Sequence, residues 1–146
     1  MRLVDDATPS LDRLDRTRVT VAVGPLVGPV LARVVGIHAA RAKLPVDRLN
    51  DAVLVADAVA ARAPSDAVDG RLPVSVQSGP GRVELRVGPL RAGGGRRVLD
   101  GAALPQVGPV IERLADSVRV RSGAGGDEYV VIRIDAMPAP GDPAAR

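Results

Sequence analysis

Apolar positions along the chain follow two periods. Val19, Val21 and Val23 alternate with Thr20 and Ala22, and that period of two predicts a strand ended by Gly24 and Pro25. From Leu26 to Lys43 the apolar positions become Val27, Val30, Leu31, Val34 and Val35, the spacing of a helix with one buried stripe. Pro29 fits only its first turn, because deeper in the helix the ring would remove a hydrogen bond and clash. After the break at Leu44-Pro45, Pro45 opens a second helix. Asp47 lies in its first turn, where the macrodipole favours a carboxylate. Leu49, Val53, Ala56 and Ala60 carry this helix to Pro64.

Residues 71–77 and 82–88 predict a hairpin turning at Ser78-Gly79-Pro80-Gly81. Pro73 should shorten the first of these strands or place it at a sheet edge. In the second, Val83, Leu85 and Val87 face one way and Arg82, Glu84 and Arg86 the other, so one sheet face is wet. Residues 91–103, with glycine at 93, 94 and 95, read as a loop. Val107, Val110, Ile111 and Leu114 predict a third helix over about 106–116. Val118 and Val120 alternate with Arg119 and Arg121 in a strand. Gly123 to Asp127 turn the chain, and Val130, Ile132 and Ile134 form the last strand. The order is β-α-α-β-β-α-β-β. Hairpins and half-polar strands exclude a doubly wound parallel sheet. The expected fold class is α/β, a two-layer sandwich with one mixed, mostly antiparallel sheet and three helices on its apolar face. Residues 1–16 read as a flexible lead, 17–136 as the domain, and 137–146 as a disordered tail of Pro, Ala and Gly.

Composition narrows the chemistry. At 146 residues the chain is one domain. It has no cysteine, hence no disulfide and no thiolate metal site. An acidic N-terminus (Asp5, Asp6, Asp12, Asp15) argues against a signal peptide, and no long apolar run predicts a membrane span; a cytoplasmic protein is expected. The formal net charge is +3, carried almost wholly by arginine, and Tyr129 is the one aromatic residue. Single-strand binders rely on aromatic stacking platforms, so nucleic acid is discounted as a partner. The core must instead be built from Val, Leu, Ile and Ala.

Few residues suggest catalysis. His38 is the only histidine and lies on the apolar stripe of the first helix, which predicts a packed residue. With no second histidine and no carboxylates clustered at ligand spacing, a metal site is not expected. Ser65, Ser75, Ser78, Ser117 and Ser122 have no histidine near them in the pattern, so nucleophilic catalysis lacks support. Asp66 and Asp69 read as a solvated turn, and Arg96-Arg97 as a basic rim. The glycines at 93–95 are a weak signal for a phosphate cradle.

Two stretches carry a resemblance. Leu44 to Ala63, LPVDRLNDAVLVADAVAARA, and Ile111 to Ile134, IERLADSVRVRSGAGGDEYVVIRI, resemble the second helix and the last helix with closing hairpin of the anti-sigma-factor serine/threonine kinases, in the histidine-kinase-like ATPase superfamily. With the first strand and helix, the resemblance covers about residues 17–136. It implies an ATP cleft between second helix, third helix and sheet, in which a Glu-x-x-x-Asn pair on the second helix supplies the general base and the Mg²⁺ ligand. Carried over, those positions are Ala58 and Arg62. Ala58 has no acid–base chemistry, and Arg62 puts a cation where a metal ligand belongs. The Asp that accepts the adenine amino group has no counterpart in Val87-Gly88-Pro89-Leu90. The Gly-x-Gly-Leu that presents amides to phosphate is replaced by Pro105-Gln106-Val107-Gly108-Pro109.

The expectation is therefore a non-catalytic, degenerate member with no catalytic, cofactor or metal residues and no cofactor. It would act as a regulatory protein-binding domain. The resemblance implies a sigma factor or an anti-anti-sigma antagonist as partner, and homodimerisation. The alternative is an active kinase that binds ATP through rearranged groups and phosphorylates the antagonist. In the first case Ala58, Ala61, Arg62, Pro89, Leu90 and Val107 line the vacated cleft. Segment 91–103 folds down to fill it, and Arg62, if turned inward, takes Asp100 as partner.

Overall fold

The computed structural model describes residues 15–101, 103–104 and 108–137; the lead to residue 14, Ala102, Pro105 to Val107 and the tail from 138 lie outside these. The first strand, β1 (Asp15–Ala22), already contains two residues expected in the lead. Helices α1 (Val27–Arg41) and α2 (Val46–Arg62) follow, then a 3-10 turn at Ala63–Asp66. The hairpin is β2 (Arg71–Gly79) and β3 (Arg82–Leu90). Beyond it come α3 (Gly94–Gly101), the two-residue strands β4 (Ala103–Leu104) and β5 (Gly108–Pro109), α4 (Val110–Leu114), β6 (Ser117–Ser122) and β7 (Glu128–Asp135).

The main sheet runs β1-β2-β3-β7-β6, and every neighbouring pair is antiparallel. No parallel pair occurs among the described residues, so the expected mixed sheet is corrected to an antiparallel one. The edge placement that Pro73 suggested is corrected too: β2 lies inside the sheet, between β1 and β3. Pro73 opposes Thr20 on β1, while the ladder to β3 begins only at Val74. The imide thus sits where that ladder has stopped, which is how an inner strand tolerates it.

The helical layer covers one face. Leu72, Val74 and Val76 of β2 and Val83, Leu85 and Val87 of β3 meet Val27, Leu31 and Val35 of α1 and Val55, Ala56 and Val59 of α2 in one cluster. Burying each Val or Leu side chain contributes roughly 1.5–3 kcal/mol. Helix α1 ends with Lys43 in the left-handed region (φ +59°), and the Leu44 N–H reaches back to the Ala39 carbonyl at 3.1 Å; this closes orphan carbonyls as a glycine usually does. The opposite sheet face carries no helix from the described residues.

Segment 91–103 is largely α3 rather than a loop. Its first turn is two glycines, poor helix formers, and packing compensates: Val98 and Leu99 are buried in the core cluster. The described part of the expected third helix is short, Val110–Leu114, and with the helix in segment 91–103 there are four helices among the described residues where three were expected. No helix among the described residues is long and apolar enough to cross a membrane.

Candidate functional site

Helix α2 places Ala58 half-buried against the core and Arg62 at its exposed C-terminal end. Arg62 does not turn inward. Its guanidinium lies across Gly101, where an added Cβ would meet Arg62 Nε at 2.0 Å. Asp100 pairs with Arg96 instead, at 3.9 Å, so the expected Arg62–Asp100 contact is replaced by a one-turn pair within α3. Ala61 is exposed, Pro89 half-buried, Leu90 buried, and Val107 outside the described residues. Among the five described positions, Pro89 alone lines the cleft on the bare sheet face.

Helix α3 lies beside α2. This helix packs on α2, the 3-10 turn, β6 and β7. Two carboxylates hold its N-terminal turn. Asp66 receives Arg97 at Nε (3.0 Å) and Nη2 (2.7 Å), and Arg97 Nη2 also donates to the Ala92 carbonyl. The hydrogen bond to Asp66 pushes the Arg97 guanidinium above its ordinary pKa. Glu128 Oε1 accepts the Gly95 N–H at 2.9 Å. The amide that a phosphate cradle would offer is thus already used by a carboxylate.

The glycines here serve close approach. A Cβ on Gly94 would meet Asp66 Cβ at 2.9 Å, and one on Gly95 would meet Val120 Cγ1 at 2.7 Å. Asp66 is therefore a buried anchor rather than part of a solvated turn, while Asp69 is exposed. Arg97 is its partner, and Arg96 alone fits the basic rim. The Asp66–Arg97 pair spans 31 residues, and no local pattern marks either member.

His38 is packed, as its place on the stripe predicts: it is 2% exposed. Thr17 Oγ1 lies 2.8 Å from Nε2, and Ser78 Oγ lies 2.7 Å from Nδ1. Ser78 thus does have a histidine partner, brought across from β2. The pair is no nucleophile–base couple, because both members are buried and a threonine hydroxyl occupies the nitrogen that an orienting carboxylate would take. Burial lowers the His38 pKa; nearby Asp15 acts upward and Arg41 downward. Among the described residues no group of three or more His, Asp or Glu could hold a metal ion.

The other organised surface is the bare sheet face. In strand register, Arg18, Ser75, Arg86, Val131 and Arg119 form one row across all five strands. Arg16, Gln77, Glu84, Arg133 and Ser117 form the next. Tyr129 lies on the same face, with the Arg86 guanidinium 4.4 Å from its ring centre. Added Cβ atoms on Gly88 and Gly123 would come within 2.9 and 2.7 Å of that ring, so the two glycines form its seat. A cleft of about 470 Å³ opens here, lined in part by Arg16, Arg18, Gln77, Arg86 and Tyr129.

No protein-family model matches the chain, and no curated protein matches it.

Proposed function

We propose that this chain is a non-catalytic regulatory domain that acts by binding another protein, a histidine-kinase-like ATPase fold whose nucleotide site has been given up. One observation carries the reading: α3 is seated beside α2 with Val98 and Leu99 in the core, and its first turn is spent on Asp66 and Glu128. Ala58 and Arg62 supply neither a base nor a metal ligand. Exposed apolar side chains on the helical layer support a protein partner. Ile37 is 50% and Leu54 51% exposed, and they follow directly on Gly36 and Val53, where α1 and α2 come within van der Waals reach. By the resemblance, the partner is a sigma factor or an anti-anti-sigma antagonist.

Thermal denaturation with and without millimolar Mg·ATP tests the nucleotide half. Ligand at a hundredfold excess over Kd stabilises by roughly 2.7 kcal/mol, and no rise beyond that with Mg²⁺ alone is expected. Calorimetric titration with sigma factors and antagonists from the source organism tests the partner half. Binding that is lost in Leu54→Asp supports it, and absence of heat with every member overturns it.

A further inference from the structure

The bare sheet face is far more basic than the chain as a whole. Strand alternation puts Arg16, Arg18, Arg71, Arg82, Arg86, Arg119, Arg121 and Arg133 on it, against the carboxylates Glu84 and Asp135; the whole chain carries only +3. Asp135 is already taken by Arg82 at 2.9 Å and Arg133 at 3.4 Å, and Arg16 by Gln77. Arg18 and Arg119 have no ion-pair partner among the described residues, and Arg86 faces only the Tyr129 ring. These three share one register row, separated by Ser75 and Val131. Alternate strands lie about 9.6 Å apart, so the row offers a guanidinium roughly every 10 Å over about 19 Å.

We propose that this row is the docking site for an acidic α-helix of a partner protein, one with carboxylates at heptad spacing along a single stripe. Seven helical residues rise about 10.5 Å, which matches the row, and three successive stripe positions cover Arg18, Arg86 and Arg119. The inference deepens the protein-binding reading and rests on it in taking the partner to be a protein.

Other occupants fit less well. A second copy would bring arginine face against arginine face. A bilayer needs apolar anchors, and none of this face's strand residues is a large exposed apolar side chain. A single nucleic-acid strand needs free stacking faces, whereas Tyr129 is covered by Arg86 and edged by Gly88 and Gly123. For a carboxylate stripe the face is suitable as it stands: arginine forks pair with carboxylates in two-point geometry. Its one buried apolar member, Val131, is flanked in register by Arg86 and Arg119.

The test is fluorescence anisotropy on the whole chain with a labelled alanine-based helix about three heptads long, glutamate filling one heptad stripe. Comparison probes are the same peptide with its glutamates spread around the helix, an oligothymidine strand, and phosphatidylserine vesicles. The striped helix is expected to bind best, and more weakly as salt rises. Arg18→Glu, Arg86→Glu and Arg119→Glu should each weaken it by about tenfold or more. Arg71→Glu, on the same face but about 14 Å from the row, should change it by less than about threefold. Arg18→Gln and Arg119→Gln, which leave the Tyr129 contact alone, serve where a reversed charge disturbs folding. Equal binding of striped and spread peptides overturns the proposal, as does tighter binding of oligothymidine or vesicles lost in the same variants, or no binding at all. Calorimetry with whole partner proteins and Leu54→Asp tests the protein-binding reading, whereas the peptide assay and the arginine variants test this row, so failure of either gives a different result.

Discussion

Arg48 and Asp116, 68 residues apart, meet in an ion pair that joins the start of α2 to the start of β6. Arg48 also donates to Asp51, to the Leu114 carbonyl and to the Asp135 carbonyl, and Asp116 accepts the Asp135 N–H at 2.7 Å. Their side chains are 15% and 5% exposed. The entry to α2 and the entry to β6 are thereby fastened to one another.

Asp116→Ala removes an ion-pair partner and the acceptor of a backbone amide together. Breaking such a buried pair costs roughly 3 kcal/mol or more, so urea denaturation should show an unfolding free energy lower by about that amount. Arg48→Lys should also destabilise when tested alone, because an ammonium cannot reproduce the guanidinium fork.

His38 should make stability depend on pH near neutrality. Its folded-state pKa lies below its ordinary value because it is buried. Above about pH 6.5 imidazole is neutral in both folded and unfolded chains, and the contribution to stability is fully present. As the pH falls below that value the unfolded chain takes up the proton first, so stability is lost until the folded-state pKa is passed. Melting temperature should therefore fall between pH 7.5 and 5.5, and His38→Gln should flatten that slope.

Gly88→Ala should destabilise the sheet even though it changes one methyl group. Gly88 has φ +138°, and an added Cβ would meet the Glu128 carbonyl at 2.7 Å and the Tyr129 ring at 2.9 Å. The backbone strain alone costs about 1–3 kcal/mol, so a loss of about 2 kcal/mol or more is expected in thermal or urea denaturation. The exposed Gly125, with nothing within 4 Å of an added Cβ, serves as the comparison for left-handed strain without crowding.

Leu99 distinguishes a structural helix from a lid. It is 3% exposed within the core cluster, and Leu→Ala at such a site costs roughly 2–5 kcal/mol. A cost within ~0.5 kcal/mol, the range of an ordinary surface substitution, would mean that α3 lifts freely from α2.

Ala58→Glu with Arg62→Asn restores the residue types that the resemblance calls for on α2. No Mg·ATP binding is expected, because α3 remains in place with its Asp66 and Glu128 contacts. Calorimetry at micromolar protein checks this; binding in the double variant would mean that only the ligands of the pocket had been lost.

Much of the fold was legible because it follows from period. The alternation at Arg82–Val87 and Val118–Arg121 foretold a wet sheet face, and the stripe from Val27 to Val35 foretold α1. The ends moved by a few residues, since β1 begins at Asp15 and α2 stops at Arg62 before a 3-10 turn. Helix α3 was hidden because Gly94 and Gly95 read as turn formers, and only contact with Asp66, Leu90 and Val120 gives them a reason to be small. Pro73 misled about the edge because a proline in sequence does not reveal where the neighbouring ladder stops. The polar anchors Asp66–Arg97 and Arg48–Asp116 join distant segments, so no local window contains both members. The arginine row is of the same kind: each strand shows its own alternation, but only the register between strands lines up Arg18, Arg86 and Arg119.

The seating of Tyr129 also decides what light can report. The chain has no tryptophan and one tyrosine, and that ring lies on the bare sheet face under Arg86 rather than in the core. Near-ultraviolet absorbance and emission therefore come from a single chromophore placed at the arginine row. They follow events on that face without any attached dye, and remain almost blind to how tightly the aliphatic interior is packed.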